Sequence, residues 1–191
     1  LEKLFVRDIV IWSTLMSGYI CHGEGEQALS CFERMQHEGL RPNNIIFTLA
    51  LKACGIIMAI KKGKEVHDNI VSSGALENDI VLRTALMDMY ARCGVLAKVQ
   101  EIFDEFHFRD VVSWNSMITA YSQHGIGNEA LKCFRIMQEE ALLPDPVTYI
   151  CALKACGSIK YLRMGVEIFA RVTKESLLEN NILFGTALVD M

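Results

Sequence analysis

The chain has 191 residues with 19 Lys plus Arg against 23 Asp plus Glu, a formal charge of −4, and is 51% hydrophobic and 22% charged. That balance describes a folded, soluble chain and excludes a disordered linker or a strongly basic domain that grips duplex DNA by charge alone. Seven cysteines, an odd number with no CxxC pair, exclude a disulfide scaffold and read as reduced thiols, and the longest apolar stretch, Ile45 to Ile60, is interrupted by Lys52, so no membrane span is expected.

In chain order, Trp12, Leu15, Met16 and Tyr19 fall at i, i+3, i+4 and i+7, which predicts a helix with one buried face. After a break at Gly23, Ala28, Phe32 and Met35 predict a second helix ending at Gly39-Leu40-Arg41-Pro42, since proline cannot continue the hydrogen-bond ladder. Two further helical pairs follow, one opening on TLALKACG from Thr48 and one on TALMDMYARCG from Thr84. At Asp110 the pattern starts again: Trp114, Met117, Ile118 and Tyr121, a break at Gly125, then Ala130, Phe134 and Met137, ending at Leu143-Pro144.

The recurrence is a duplication. Shifted by 102 residues, the chain matches itself without a gap and 35 of 89 aligned pairs are identical, among them LKACG at Leu51 and at Leu153. Each block divides into units of unequal length: 9–43, 44–79 and 80–110, then 111–145 and 146–181. Residues 1–8 align with 103–110 as the tail of a preceding unit, and 182–191 open the next, so the chain reads as a piece of a longer array. One helical hairpin of this size cannot bury its apolar stripe alone, and the predicted architecture is an all-α solenoid of stacked hairpins.

Two polar columns run through the repeats. On the first helices, residues four apart share a face: Ser13 and Ser17, Thr48 and Lys52, Thr84 and Asp88, Asn115 and Thr119, Ile150 and Lys154, Thr186 and Asp190. The second column is the last residue of each unit, Asp8, Asn43, Asp79, Asp110, Asp145 and Asn181, all Asp or Asn. A residue just before a helix also caps free N–H groups, and spacing leaves capping and ligand contact equally open. Lys52, Arg92 and Lys154 are candidate phosphate contacts on the groove side. Cys31, Cys133, Cys54 and Cys156 recur in register and are expected to pack; His22 and His124 sit at helix ends; no catalytic, metal or cofactor constellation is expected.

Helical hairpins of 35 residues with a WxxLMxGY-like first helix, an ALxxFxxM second helix and a GLxPN or LxPD end resemble the pentatricopeptide repeat. The alternation of 35, 36 and 31 residues is similar to the plant PLS subfamily, with P units at 9–43 and 111–145, L units at 44–79 and 146–181, and an S unit at 80–110. A tetratricopeptide array, with its 34-residue period, fits less well. The resemblance implies a right-handed superhelix that binds single-stranded organellar RNA at one nucleotide per repeat.

In this family the fifth and last residues of a repeat read the base edge. Ser13 with Asn43 then resembles an adenine reader, Thr48 with Asp79 and Thr84 with Asp110 guanine readers, and Asn115 with Asp145 a uracil reader. Ile150 with Asn181 departs from the code, because isoleucine has no hydrogen-bonding group. The family's second residue sandwiches the base, which assigns Val10, Ile45, Val81, Val112 and Val147 to that role; all are β-branched and stiff at χ1. The implied setting is a mitochondrial or chloroplast RNA-processing factor, foremost one for C-to-U editing, with editing-complex proteins as further partners. The HxE and PCxxC pairing of a zinc deaminase does not occur in this sequence, so the array is expected to be non-enzymatic. The competing expectation is a solenoid scaffold that holds a protein partner in its groove.

Overall fold

The computed structural model describes residues 2–76, 79–106 and 108–174, with side chains from residue 9 onward. Among the described residues there are ten helices and no strand: α1 Glu2–Cys21, α2 Gly25–His37, α3 Asn44–Ile56, α4 Ile60–Ser72, α5 Ile80–Arg92, α6 Leu96–Asp104, α7 Val111–Gln123, α8 Gly127–Glu139, α9 Pro146–Ser158 and α10 Leu162–Lys174. The chain divides into two compact units, residues 1–102 and 103–191, so the first unit has the length of the sequence period. The fold is an all-α helical repeat, built within each unit from stacked hairpins.

Stacking follows one rule in both units. The first helix of a hairpin packs on its own second helix and on the first helix of the next hairpin: α1 on α2 and α3, α3 on α4 and α5, and α7 on α8 and α9. The second helix also leans on the following first helix, as α2 does on α3 and α8 on α9. The core lies between these layers. In the first unit Met16, Ala28, Phe32, Met35, Ile46, Leu51, Ile70, Leu82 and Leu86 are almost fully buried, and in the second Trp114, Met117, Ile118, Ala130, Phe134, Met137, Tyr149 and Leu153 are. Burying side chains of this size contributes about 1.5 to 3 kcal/mol each, an upper estimate because unfolded chains already bury some surface.

Glycine sets the hairpin at two kinds of position. Gly23 and Gly125 adopt positive φ (76° and 71°) in the turns of equivalent hairpins. Two residues later, Gly25 and Gly127 open α2 and α8, and a Cβ added to Gly127 would lie 2.6 Å from the Ala155 carbonyl oxygen. The absent side chain is what lets α8 approach α9 so closely.

Two local expectations are corrected. The helices α2 and α8 end at His37 and Glu139, several residues before Pro42 and Pro144. Their ends are set by a left-handed residue, Gly39 (φ 80°) or Ala141 (φ 60°), after which Leu40 N–H donates back to Met35 and Leu142 N–H to Met137. This is the Schellman pattern, in which the turn itself satisfies the last carbonyls. On α1 the face expected to be buried is only partly so: Met16 is fully buried, Trp12 and Tyr19 are half-buried and Leu15 is 45% exposed. In the second unit the matching Trp114 is covered by the Phe103 ring at 4.8 Å, with the Arg109 guanidinium 4.6 Å from the Phe103 centroid. The positions that correspond to Phe103 and Arg109 are Leu1 and Arg7, whose side chains lie outside the described residues. The helix α1 also runs back to Glu2, through Asp8, where α7 instead begins afresh after Asp110.

Candidate nucleic-acid interface

The last-residue column is positioned by helix starts. Asn43, Asp79, Asp110 and Asp145 are the N-caps of α3, α5, α7 and α9, and each side chain accepts the backbone N–H three residues on, from Ile46, Leu82, Ser113 and Thr148. Satisfying one of the free N–H groups of a helix start contributes roughly 1 kcal/mol each. A carboxylate has lone pairs left after one such bond. At Asp79 and Asp145 the structure shows those lone pairs in use, each accepting from the first helix of the unit that the residue ends.

In the second unit the predicted pair meets. Asn115 Nδ2 lies 3.0 Å from both Asp145 Oδ1 and Oδ2, so the amide donates to the carboxylate across 30 residues of sequence. Asn115 is only 9% exposed. Its other amide atom, Oδ1, accepts the Thr148 hydroxyl at 2.5 Å, and Thr148 Oγ1 also lies 2.8 Å from Asp145 Oδ1. Asn115, Asp145 and Thr148 thus form one closed network at the packed face of α7 and α9. Sequence reasoning missed Thr148. Its signal was legible as Asp145-Pro146-Val147-Thr148, a capping box in which a hydroxyl three residues on answers the cap.

In the first unit the pairing differs. Asp79 Oδ1 caps Leu82 N–H at 2.9 Å, but its Oδ2 accepts from Asn44 Nδ2 at 2.5 Å, not from Thr48. Thr48 turns its hydroxyl onto the Asn44 carbonyl at 2.8 Å, the usual back-bond of a mid-helix threonine. Asn44, one turn before Thr48, is therefore the first-helix residue joined to Asp79. Ser13 donates to the Val10 carbonyl at 2.9 Å and Thr84 to the Ile80 carbonyl at 2.7 Å, while Asn43 caps Ile46. Thr84 belongs to the first unit and Asp110 to the second, where Asp110 forms a capping box with Ser113. Ile150 is buried at 8%, and Asn181 lies outside the described residues, as do Thr186, Asp190 and the Asp8 side chain.

The second-residue set is exposed without exception. Val10, Ile45, Val81, Val112 and Val147 show 51 to 68% of their surface, although each is β-branched and apolar. Val112 and Asn115 are three residues apart on α7 and share a face, so an apolar wall stands beside the amide network. Among the candidate phosphate contacts, Lys52 and Lys154 are exposed at matching places on α3 and α9. Arg92 is different, because its guanidinium pairs with Asp88 at 2.9 Å.

Cys31, Cys54, Cys133 and Cys156 are buried and behave as packing groups, as does Cys151. Burial pushes the Cys54 thiol up to about 12 and those of Cys133 and Cys156 up to about 11, so they hold their protons at neutral pH. Among the described residues no group of three or more His, Cys, Asp or Glu is placed to hold a metal, and no helix is long and apolar enough to cross a membrane.

The PPR repeat family matches residues 7–55 and 109–158, and a PPR repeat matches residues 81–111. Among curated proteins the chain is similar to the Arabidopsis thaliana pentatricopeptide repeat-containing protein At2g13600, at 40% identity over 89% of this chain and 24% of that protein. It is also similar to the chloroplastic At4g18520 (34% identity, 96% of this chain, 29% of that one) and the mitochondrial At1g56690 (33%, 97% and 26%), both from Arabidopsis thaliana. The chain spans about a quarter of the length of these relatives. The fold is shared with the pentatricopeptide repeat protein PPR10 in complex with an 18-nt psaJ RNA element, at a TM-score of 0.79, 24% identity, and cover of 95% of this chain and 27% of that one. It is shared too with the PPR domain of Arabidopsis thaliana protein-only RNase P 1 in complex with tRNA, at a TM-score of 0.66, 10% identity, and cover of 92% and 93%. With matched repeats over more than half its length, on a fold whose hairpins repeat as its sequence does, the chain belongs to the pentatricopeptide repeat family.

Proposed function

We propose that this chain binds single-stranded RNA, one nucleotide per repeat, as the specificity array of an organellar RNA-processing factor. The observation that carries the reading is the Asn115–Asp145 contact at 3.0 Å beside the exposed Val112. An ionised carboxylate only accepts hydrogen bonds, so Asp145 suits a base with an imino N–H on its Watson–Crick edge, which uracil and guanine have and adenine and cytosine lack. The Asn115 amide directs one side at the carboxylate and keeps a second N–H for a base carbonyl. Uracil offers that pattern, a carbonyl beside an imino N–H, at the smaller size that a bulky asparagine leaves room for. Val112 and Val147 supply apolar walls for the base faces. The fold is that of PPR10 in its complex with an RNA element, which supports RNA binding, and the organellar relatives support a mitochondrial or chloroplast setting. The alternation of 35-, 36- and 31-residue units supports C-to-U editing as the process, with the chemistry supplied by a deaminase outside the array.

The test is a base-preference titration with short single-stranded RNAs varied at the nucleotide facing residues 111–145. The unaltered chain prefers U there, and Asn115→Thr with Asp145 kept moves the preference towards G. A good bidentate base contact discriminates by about 1 to 3 kcal/mol, so the preference to be read is about 5- to 150-fold. Binding without base preference, or no binding by a chain whose helical circular dichroism and melting are intact, overturns the reading and turns attention to a protein in the groove.

A further inference from the structure

Among the described residues the buried polar side chains are Ser113, Asn115 and Thr148. Ser113 and Thr148 occupy equivalent places in consecutive capping boxes, yet their hydroxyls go different ways. Ser113 accepts the Asp110 N–H at 3.0 Å and donates to the carbonyl of the same residue at 2.9 Å, so it stays within its own turn. Thr148 accepts the Asp145 N–H at 3.1 Å, and its single proton has two acceptors in reach, Asn115 Oδ1 at 2.5 Å and, within its own turn, Asp145 Oδ1 at 2.8 Å.

We infer that Thr148, a residue of the following repeat, is a positioning residue for base choice by Asn115 and Asp145, because its hydroxyl, together with the Asp145 carboxylate, holds the Asn115 amide in one orientation. The inference rests on the reading of that pair as a uracil reader. An asparagine amide has two orientations of nearly equal shape and opposite hydrogen-bond polarity. In the one observed, Nδ2 meets the carboxylate and Oδ1 meets Thr148, so the amide presents N–H to a base and matches the uracil carbonyl. Turned over, it would present its carbonyl oxygen and match the exocyclic amine of cytosine. The Asp145 carboxylate, which only accepts, opposes the turned form by placing two oxygens 3.0 Å from the amide nitrogen. Thr148 is fully buried and supplies the second constraint. In the first unit the matching position after Asp79 is Leu82, which has no hydroxyl, and there Thr48 bonds to its own helix instead.

The experiment compares the U-over-C ratio at the nucleotide facing residues 111–145 for the full chain and its Thr148 variants. Thr148→Val keeps the branched shape and lowers that ratio about three- to tenfold, the span of one lost hydrogen bond, with the loss appearing mainly as better binding of C. Thr148→Ser restores the ratio. Ser113→Ala removes the equivalent hydroxyl of the preceding repeat and leaves the ratio at this nucleotide unchanged, which separates base choice from loss of a capping box. Thr148→Cys, similar in size with a weak donor, gives an intermediate ratio and keeps the test open if the valine variant does not fold. An unchanged ratio in the valine or cysteine variant, or an equal fall with Ser113→Ala, overturns the role of Thr148 while the uracil reading stands. A chain with no preference for U before any substitution overturns both.

Discussion

Asp145 caps α9 and accepts from the Asn115 amide with one carboxylate, and the base-reading role proposed for it can be separated from capping by a single atom exchange. Asparagine caps a helix about as well as aspartate, whereas alanine does not. Asp145→Ala therefore lowers stability by about 1 kcal/mol, and Asp145→Asn by much less. For RNA the order is different. The asparagine carries donors where the carboxylate had none, so preference moves from U towards C, whose ring nitrogen accepts. Denaturant midpoints and RNA titrations of both variants check this; an Asn variant with unchanged base choice would leave Asp145 a cap alone. At this scale one pairing of the two columns was legible from spacing, since Asn115 and Asp145 do meet. What spacing could not show is that Asn44 rather than Thr48 reaches Asp79. Side chains one turn apart on a helix compete for the same neighbour, and only their lengths and back-bonds decide between them.

The hairpins themselves are drawn by punctuation more than by propensity. Gly39 ends α2 in the left-handed region that glycine adopts without strain, and the duplicate of that position is Ala141, held at φ 60°. An L-residue there carries a cost of about 1 to 2 kcal/mol, offset in part by the lower unfolded-chain entropy of alanine. Ala141→Gly is expected to stabilise the chain by about 0.5 to 1 kcal/mol, and Gly39→Ala to destabilise it by a similar amount. Urea unfolding of the two variants measures both signs. Helix breaks at Gly23 and Gly125 were visible in the sequence, and the ends of α2 and α8 were not placed well, because proline drew the boundary past the turn that makes it. The exposure of Leu15 escaped for a related reason. Periodicity identifies a stripe, but whether a neighbour covers it depends on what packs there, as Phe103 does on Trp114.

Over the whole molecule, the units of 31 to 36 residues inside the duplication were the strongest signal, because their helical periodicity sets the all-α class and a hairpin of that length cannot bury its apolar stripe alone. Charge is the weaker guide. A net charge of −4 gives no overall attraction for a phosphate chain, so the proposed RNA binding would rest on base contacts, hydrogen bonds and local cations. Lys52 and Lys154 are exposed, while Arg92 is held by Asp88. Two phosphate contacts on single-stranded RNA imply a slope of log affinity against log salt of about −1.4, at about 0.7 per contact. Lys52→Gln reduces that slope by about half without altering base preference, as titrations at several potassium chloride concentrations would show. A far steeper slope would mean that other cations carry the RNA.

The described repeats begin their first helices at α3, α5, α7 and α9 on Asn43, Asp79, Asp110 and Asp145, with each side chain closing the helix start. Anyone retargeting such an array chooses the last residue of a repeat from a short vocabulary. Asp, Asn, Ser and Thr hold the helix; most other side chains would loosen the scaffold before they met a nucleotide. If the proposed RNA reading holds, the alphabet available for rewriting the molecule's address is limited first by its folding.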